Sequence, residues 1–221
     1  METTIKKQYG AISLLTIVAD APRDWDTADA THVRVSLPDS VQNRQQMQDK
    51  GYQLVDCTLD VTIRLKKNSV DFQKAIRLQP ILSGEYKEEI KQLAKRNFVR
   101  DRRFHVETEY CPEVAAPIID GWVEEIPECY VCLYKGNLIG FLALKETEDG
   151  NGATIHLAAV EEQYRASGAA MSLYARAVQA GIEKGYQNIT GTISCYNPAV
   201  MNLYAYLGGT FSNPQDIYLR K

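Results

Sequence analysis

QYRASGAAMSLYARA, residues 163–177, is the stretch on which the reading of this chain turns. It follows an apolar run, GATIHLAAV (152–160), passes through an arginine and a glycine, and opens a long helical pattern without one acidic side chain. A helix start carries unpaired amides and the positive end of the helix dipole, so an acid-free start suits an anion. Gly168 would let the backbone approach that anion closely, Ala170 would keep the helix near it, and Arg165 would add a full positive charge. A plain loop leading into an alanine-rich helix fits the local residues equally well, because short glycine motifs are common. The surroundings have to decide.

Downstream, Ala166 to Lys184 reads as a helix with Ala170, Leu173, Tyr174, Ala177 and Gly181 at helical spacing and Gly185 as its stop. NITGTISC (188–195) reads as a strand, and NPAVMNLYAYLGG (197–209) as a helix with Asn197 as cap, Pro198 in the first turn and Val200, Leu203, Tyr204 and Leu207 inward. Ile217, Tyr218 and Leu219 make a final strand. Upstream, CYVCLYKGNLIGFLALKE (129–146) is a hairpin turning at Lys135-Gly136-Asn137, and the 152–160 run adds a third strand. Before these lie a short strand at AIRLQP (75–80), a helix over 83–98, an irregular charged and aromatic loop over 101–111, and a helix from Pro112 or Glu113 through Trp122.

The first third of the chain has its own pattern. HVRVSL (32–37) reads as a strand, 38–51 as a short helix capped by Asp39 or Ser40 and closed by Gly51, and 52–65 as a long strand with Val55, Cys57, Leu59, Val61, Ile63 and Leu65 on one face. Polar KKNSVDF (66–72) sets the expected boundary, giving domains over 1–72 and 73–221. The unit strand, helix, Gly51, strand echoes strand, helix, Gly208, strand at the other end, which suggests a truncated repeat. The expected fold class is a mixed-sheet α/β.

Composition narrows the function. With 221 residues, 24% charged and 45% hydrophobic, the chain is an ordinary globular one. A net charge of −3 from 25 basic and 28 acidic residues argues against a dedicated nucleic-acid or anionic-membrane binder. No apolar run reaches membrane-spanning length and Met1 to Gly10 has no signal-peptide core, so a cytoplasmic location is expected. Cys57, Cys111, Cys129, Cys132 and Cys195 are odd in number and scattered, which suits free thiols; Cys129 and Cys132 have metal-like spacing but no second pair or nearby histidine, so no metal is expected.

R-x-x-G-x-A after the strand ending in Val160, followed some thirty residues on by N-x-x-x-x-x-L-Y-x-x-x-G (Asn197, Leu203, Tyr204, Gly208), resembles the acyl-CoA signature of the GNAT superfamily of N-acetyltransferases. The resemblance implies a GNAT-like domain preceded by a smaller truncated GNAT-like one. It also implies that Arg165, Ala166, Ser167, Gly168, Ala169 and Ala170 hold the pyrophosphate of acetyl-CoA. Ala158 and Val160 would meet the pantetheine arm on a splayed strand, and Asn197 would lie on the cofactor side. Tyr204 is the expected general acid: a thiolate leaving group with a thiol pKa near ~8.5 benefits from a proton, and a tyrosine near ~10 can hold one at neutral pH. Tyr204 serves equally well as an inward packing aromatic. Backbone amides near Ala159 or Val160 would steady the oxyanion. The base is not identified; His156 is on the right strand but a strand histidine is more often structural.

A closer resemblance, to the TDP-fucosamine acetyltransferase group, spans nearly the whole chain and implies a nucleotide-linked amino sugar as acceptor. It rests on the truncated first unit, RRF (102–104), GWVEE (121–125) and YLR (218–220). Arg103, Phe104 and Tyr110, with Arg102 and Glu107, are the expected acceptor contacts, although a charged loop is often merely solvated. The first unit has Met47 where the second has Tyr204 and lacks R-x-x-G-x-A, so it should bind no CoA. Acetylation of another small amine or a peptide N-terminus, and a non-catalytic acyl-CoA sensor, are the competing readings. A homodimer is left open.

Overall fold

The computed structural model of the chain describes residues 2–220 apart from 67, 69 and 99–111. Its elements in order are β1 (Thr3–Tyr9), β2 (Ile12–Val18), β3 (His32–Pro38), α1 (Val41–Asp49), β4 (Gln53–Arg64), α2 (Phe72–Ala75), β5 (Ile81–Ser83) and α3 (Lys87–Phe98). There follow α4 (Pro112–Glu124), β6 (Cys129–Tyr134), β7 (Asn137–Glu146), β8 (Gly152–Val160), a 3-10 turn (Glu162–Ser167), α5 (Ala169–Glu183), β9 (Asn188–Ser194), α6 (Pro198–Tyr206) and β10 (Gly209–Arg220).

All ten strands join one sheet in the order β1-β2-β3-β10-β4-β9-β8-β7-β6-β5. Leaving aside β6 and β5 at one edge, the order reads symmetrically about the β10–β4 pair. β1-β2-β3-α1-β4 in the first part of the chain corresponds to β7-β8-β9-α6-β10 in the last, each with an antiparallel pair, then a parallel pair. The two long last strands are exchanged: β10 lies between β3 and β4, and β4 between β10 and β9. The echo visible in the sequence is therefore an interleaving of strands within one sheet.

Local chemistry explains the ends of the repeated helices. Ser40 caps α1 by accepting the Asn43 N–H at 3.0 Å, and Asn197 caps α6 by accepting the Val200 N–H at 3.2 Å. The exchange is fastened by a buried carboxylate. Asp216 of β10 has no solvent exposure, and Arg44 of α1 donates to both its oxygens at 2.7 and 3.2 Å, while the Tyr218 hydroxyl donates at 3.1 Å.

Three apolar clusters cover the sheet. One sits under α5 and α6 with Val61, Ile63, Leu173, Ile189 and Tyr204; one lies on the opposite face under α3 and α4 with Ile90, Ile118, Val131 and Phe141; the third holds α1 through Met47, Val35 and Tyr218. Cys129 belongs to the second cluster and Cys132 to the first. On a strand, residues three apart face opposite sides, so the C-x-x-C thiols point apart and cannot converge on one ion.

Two expected elements need correction. AIRLQP is not a strand: Phe72–Ala75 is a single helical turn, and the strand is Ile81–Ser83. The amides of Arg77 and Leu78 both go to the Ser172 hydroxyl at 3.0 Å, so they are unavailable to a ladder, and Pro80 has no amide to give. The helix expected from Ala166 begins at Ala169, because Gly168 adopts φ +86° and separates it from the preceding 3-10 turn.

Candidate active site

The site begins with a parting of strands. β8 and β9 pair only from Gly152–Asn188 to Thr154–Thr190, whereas β2 and β3 stay paired from Leu14–His32 to Val18–Ser36. Beyond Thr154, β8 remains on β7 but leaves β9, which opens a wedge in the second half alone. The Glu161 N–H donates to the Ile139 carbonyl at 2.9 Å. Alternation along an antiparallel ladder then turns the backbone of Ala158 and Val160 away from β7, toward the wedge, and that of Ala159 toward β7. Of the two amides expected near the oxyanion, Val160 faces the gap and Ala159 does not. Backbone groups along such an edge need partners, and an extended amide-bearing ligand can supply them.

At the end of β8 lies the 161–170 loop. Arg165, Ala166 and Ser167 are exposed, Gly168 and Ala170 are half-buried and Ala169 is buried. The first turn of α5 has no acidic residue, and its N-cap offers no side-chain bond. Ser167 Oγ donates to the Tyr164 carbonyl at 2.6 Å and accepts the Ala169 N–H at 3.2 Å, which fixes the turn. Arg165 donates to Asn97 Oδ1 at 2.9 Å, and Arg96 pairs with Glu161, so the end of α3 is tied beside the loop. A second arginine, missed in the sequence, lies here as well. The exposed Arg77 runs its Cδ within 3.3 Å of where a Cβ on Gly168 would stand, held there because Ser172 Oγ binds the Arg77 and Leu78 amides and donates to the Gly168 carbonyl at 3.0 Å. Two cations at an acid-free helix start suit a diphosphate.

Tyr204 is 1% exposed and stands edge-on to Tyr174, ring centroids 5.2 Å apart. Its hydroxyl rests against Gly191, where a Cβ would be only 2.6 Å away, and Gly191 is the residue after Thr190, the last rung between β8 and β9. The hydroxyl is therefore at the base of the wedge. Burial, together with the neighbouring Tyr174 hydroxyl, holds Tyr204 far above the ordinary tyrosine range, so it keeps its proton. Asn197 is exposed and acts on α6 through its capping bond.

His156 stands on β8 two residues beyond Thr154, the last residue paired with β9. It is the extra residue of a bulge, since Leu144 pairs with Ile155 and Ala143 with Leu157. Its Nε2 is buried without a hydrogen-bond partner, and desolvation pulls the imidazole below its ordinary value while Glu125, at the end of α4, pulls it back. It lines a groove of about 530 Å³ with Lys145, Glu146, Glu148, Asp149 and Thr154. A neutral, partly desolvated imidazole at a groove can accept a proton. Nothing in the one-dimensional pattern marks this: the signal is a buried nitrogen, which only the fold creates.

Arg103, Phe104 and Tyr110, with Arg102 and Glu107, fall outside the described residues. Among the described residues there is no group of three or more His, Cys, Asp or Glu side chains that could hold a metal ion, and no helix is long and apolar enough to cross a membrane.

Comparison with known proteins gives the wedge a lineage. Residues 88–208 match the profile of a family described as the Acetyltransferase (GNAT) family. A functionally unknown conserved protein from Staphylococcus epidermidis superposes with a TM-score of 0.70 at 12% identity, covering 93% of this chain and 84% of that one. A GCN5-related N-acetyltransferase from Sphaerobacter thermophilus gives 0.59 at 12% identity over 99% and 75% of the two chains. A GCN5-related glucosamine N-acetyltransferase region of a fungal multi-domain β-N-acetylglucosaminidase gives 0.62 at 11% identity over 98% of this chain and 31% of that one. Among curated proteins no sequence matches.

Proposed function

The chain belongs to the acetyltransferase (GNAT) family, and on that premise we propose that it moves the acetyl group of acetyl-CoA to the primary amine of a nucleotide-linked amino sugar. The observation that carries the transfer chemistry is the parting of β8 from β9 after Thr154, with the Tyr204 hydroxyl at its base and the 161–170 loop at its end. Arg165 to Ala170, with Arg77, cradle the pyrophosphate. Ala158 and Val160 pair with the pantetheine arm, and Asn197 fixes the start of α6.

In transfer from a thioester the amine nitrogen bonds to the carbonyl carbon, the carbon–sulfur bond breaks, one proton leaves nitrogen and one arrives at sulfur. Tyr204 gives the proton to sulfur. His156 takes the proton from the amine, directly or through one water, and the Val160 N–H steadies the charge on the carbonyl oxygen. Residues 1–72 form a unit that holds no cofactor, since its β2 and β3 remain zipped and Met47 stands in place of Tyr204.

The acceptor is argued from chemistry. Only a neutral amine attacks, and a lysine near ~10.4 is almost wholly charged at pH 7, whereas a sugar amine is less basic and asks less of a half-buried histidine. Arg103 suits the diphosphate, Phe104 and Tyr110 the sugar or base faces. The similar fold of the fungal glucosamine N-acetyltransferase region is consistent with an amino-sugar acceptor. One observation favours a second reading: Glu146, Glu148 and Asp149 along the groove suit a cationic small amine or peptide N-terminus. Incubating acetyl-CoA with a panel of TDP-amino sugars, polyamines and peptides, read by free thiol, decides between them. Release with the sugars alone supports the proposal, release with polyamines or peptides alone supports the second reading, and release with none leaves only an acyl-CoA sensor.

A further inference from the structure

Two of the thiols face each other between β4 and the end of β9. The pairing of β4 with β9 runs to Thr58–Ser194, and the next step sets Cys57 opposite Cys195, whose N–H donates to the Cys57 carbonyl at 2.8 Å. The two sulfur atoms are 3.5 Å apart, and both residues are free and half-buried, within reach of solvent. Cys129 and Cys132, by contrast, are buried at 1% and 0% exposure and point to opposite faces of β6. Directly opposed residues on antiparallel strands have Cα atoms about 4.5–5.5 Å apart, inside the roughly 4.4–6.8 Å that a disulfide spans. The sulfurs need only close the remaining gap by small χ1 rotations.

We propose that Cys57 and Cys195 are a redox-active dithiol, a modification site that closes to a disulfide between β4 and the end of β9 under a peroxide oxidant. One of the two thiols loses its proton and attacks a peroxide oxygen, the O–O bond breaks, and the departing hydroxide takes up that proton and leaves as water, giving a sulfenic acid. The other sulfur then attacks that sulfur, the S–O bond breaks, and hydroxide takes the second thiol's proton to leave as a second water. Two thiols and one hydrogen peroxide become one disulfide and two waters. Burial and the adjacent thiol raise Cys57 above the ordinary cysteine range.

The position gives the bond a structural effect. It joins residues 138 apart in sequence and pins the first segment's long strand to the turn Cys195–Asn197 that starts α6, the helix of Tyr204. A link closing so long a loop restricts the unfolded chain strongly. The test uses the full chain, held reduced in one arm and treated with hydrogen peroxide in the other. Alkylation of the remaining thiols, proteolysis and mass spectrometry should find the Cys57 and Cys195 peptides joined and lighter by two hydrogens in the oxidised arm only. The melting temperature should rise on oxidation, return with dithiothreitol, and fail to rise in Cys57→Ser and Cys195→Ser. The mapping in the parent chain needs no variant to fold. Independent alkylation of both thiols after peroxide, a bond from either one to Cys111, or a bond between two chains would each overturn the proposal.

Discussion

Replacing Gly191 by alanine tests where the Tyr204 hydroxyl sits. The added Cβ would stand 2.6 Å from that oxygen, 3.4 Å from Tyr204 Cζ and 3.5 Å from Val61 Cγ1. Non-bonded heavy atoms rest at about 3.5 Å, so the hydroxyl must retreat by roughly 0.9 Å while the other two contacts are already ordinary. The ring has little room, being 1% exposed and held edge-on by Tyr174. Overpacking of this kind costs about 1–3 kcal/mol, and the stiffer alanine backbone returns about 0.5–1 kcal/mol. The net loss is about 0–2.5 kcal/mol, centred near 1 kcal/mol, a fall in Tm of up to roughly 10 °C for a chain of this size.

The cost has a signature, because it resides in one oxygen atom. In Tyr204→Phe that atom is gone, and the alanine Cβ meets Cζ at 3.4 Å and Val61 Cγ1 at 3.5 Å, both ordinary contacts. Urea or thermal unfolding of the parent, both single variants and the double variant should show Gly191→Ala costing less in the phenylalanine background, by about 1–2 kcal/mol. Turnover should fall as well, by roughly 10²-fold for a proton donor moved by about an ångström. If alanine costs the same in both backgrounds, or costs nothing and leaves activity intact, the hydroxyl does not rest on Gly191 and the placement of the acid at the wedge is wrong.

Tyr204→Phe should leave acetyl-CoA affinity within about twofold of the parent and lower kcat by roughly 10²- to 10⁴-fold, the usual worth of a general acid; single-turnover kinetics with calorimetric binding check it. Gly168→Asp should weaken acetyl-CoA binding by placing a side chain and a negative charge at the helix start, with Arg77→Ala weakening it less, as read by the ligand-induced rise in Tm. Because desolvation lowers the folded-state His156 value, the neutral base persists below ~6.5, so the acidic limb of kcat/KM should fall below that pH and be absent in His156→Gln. The same shift makes the stability from this group full above the unfolded value and lost as pH falls through it toward the folded one. Arg44→Ala should cost about 3–5 kcal/mol because it strands the fully buried Asp216, and Asp216→Asn should cost less because the Arg44 side chain is 46% exposed and can be hydrated.

How much of this is legible in the sequence depends on whether the signal is local. The helix capped by Asn197 and the hairpin turning at Lys135–Gly136 are written in neighbouring residues and are where the sequence puts them, and the acid-free start of α5 is also local, displaced only from Ala166 to Ala169 by the turn at Gly168. β1 and β2 are not written that way. Thr3–Tyr9 is exposed at every residue but the last, and Ile12–Val18 is buried on both faces for most of its length, so neither alternates with the period of two that marks a strand. AIRLQP does look apolar enough for a strand, but its amides are claimed by Ser172, almost a hundred residues away. Arg77 was hidden for the same reason, being defined by its approach to Gly168, and His156 could be named from its strand but not its environment, a nitrogen that burial leaves without a partner.

The exchange of β4 and β10 also accounts for why two similar halves would carry one site. In both halves a parallel pair meets the exchanged strands, so the raw material for a wedge exists twice. In the second half the connection from β8 to β9 carries α5, a fifteen-residue helix, and the two strands pair only as far as Thr154–Thr190. In the first half residues 19–31 cross from β2 to β3 without a helix, and the two strands close along five successive pairs from Leu14–His32 to Val18–Ser36. Backbone groups that the second half leaves for a ligand are there spent on each other. Met47, fully buried at the position corresponding to Tyr204, fills with a thioether what would otherwise be the acid's place. Inserting a tyrosine at 47 would therefore add a buried hydroxyl without opening any strand edge, and the first half would remain a scaffold whose work is to lend β4 to its neighbour.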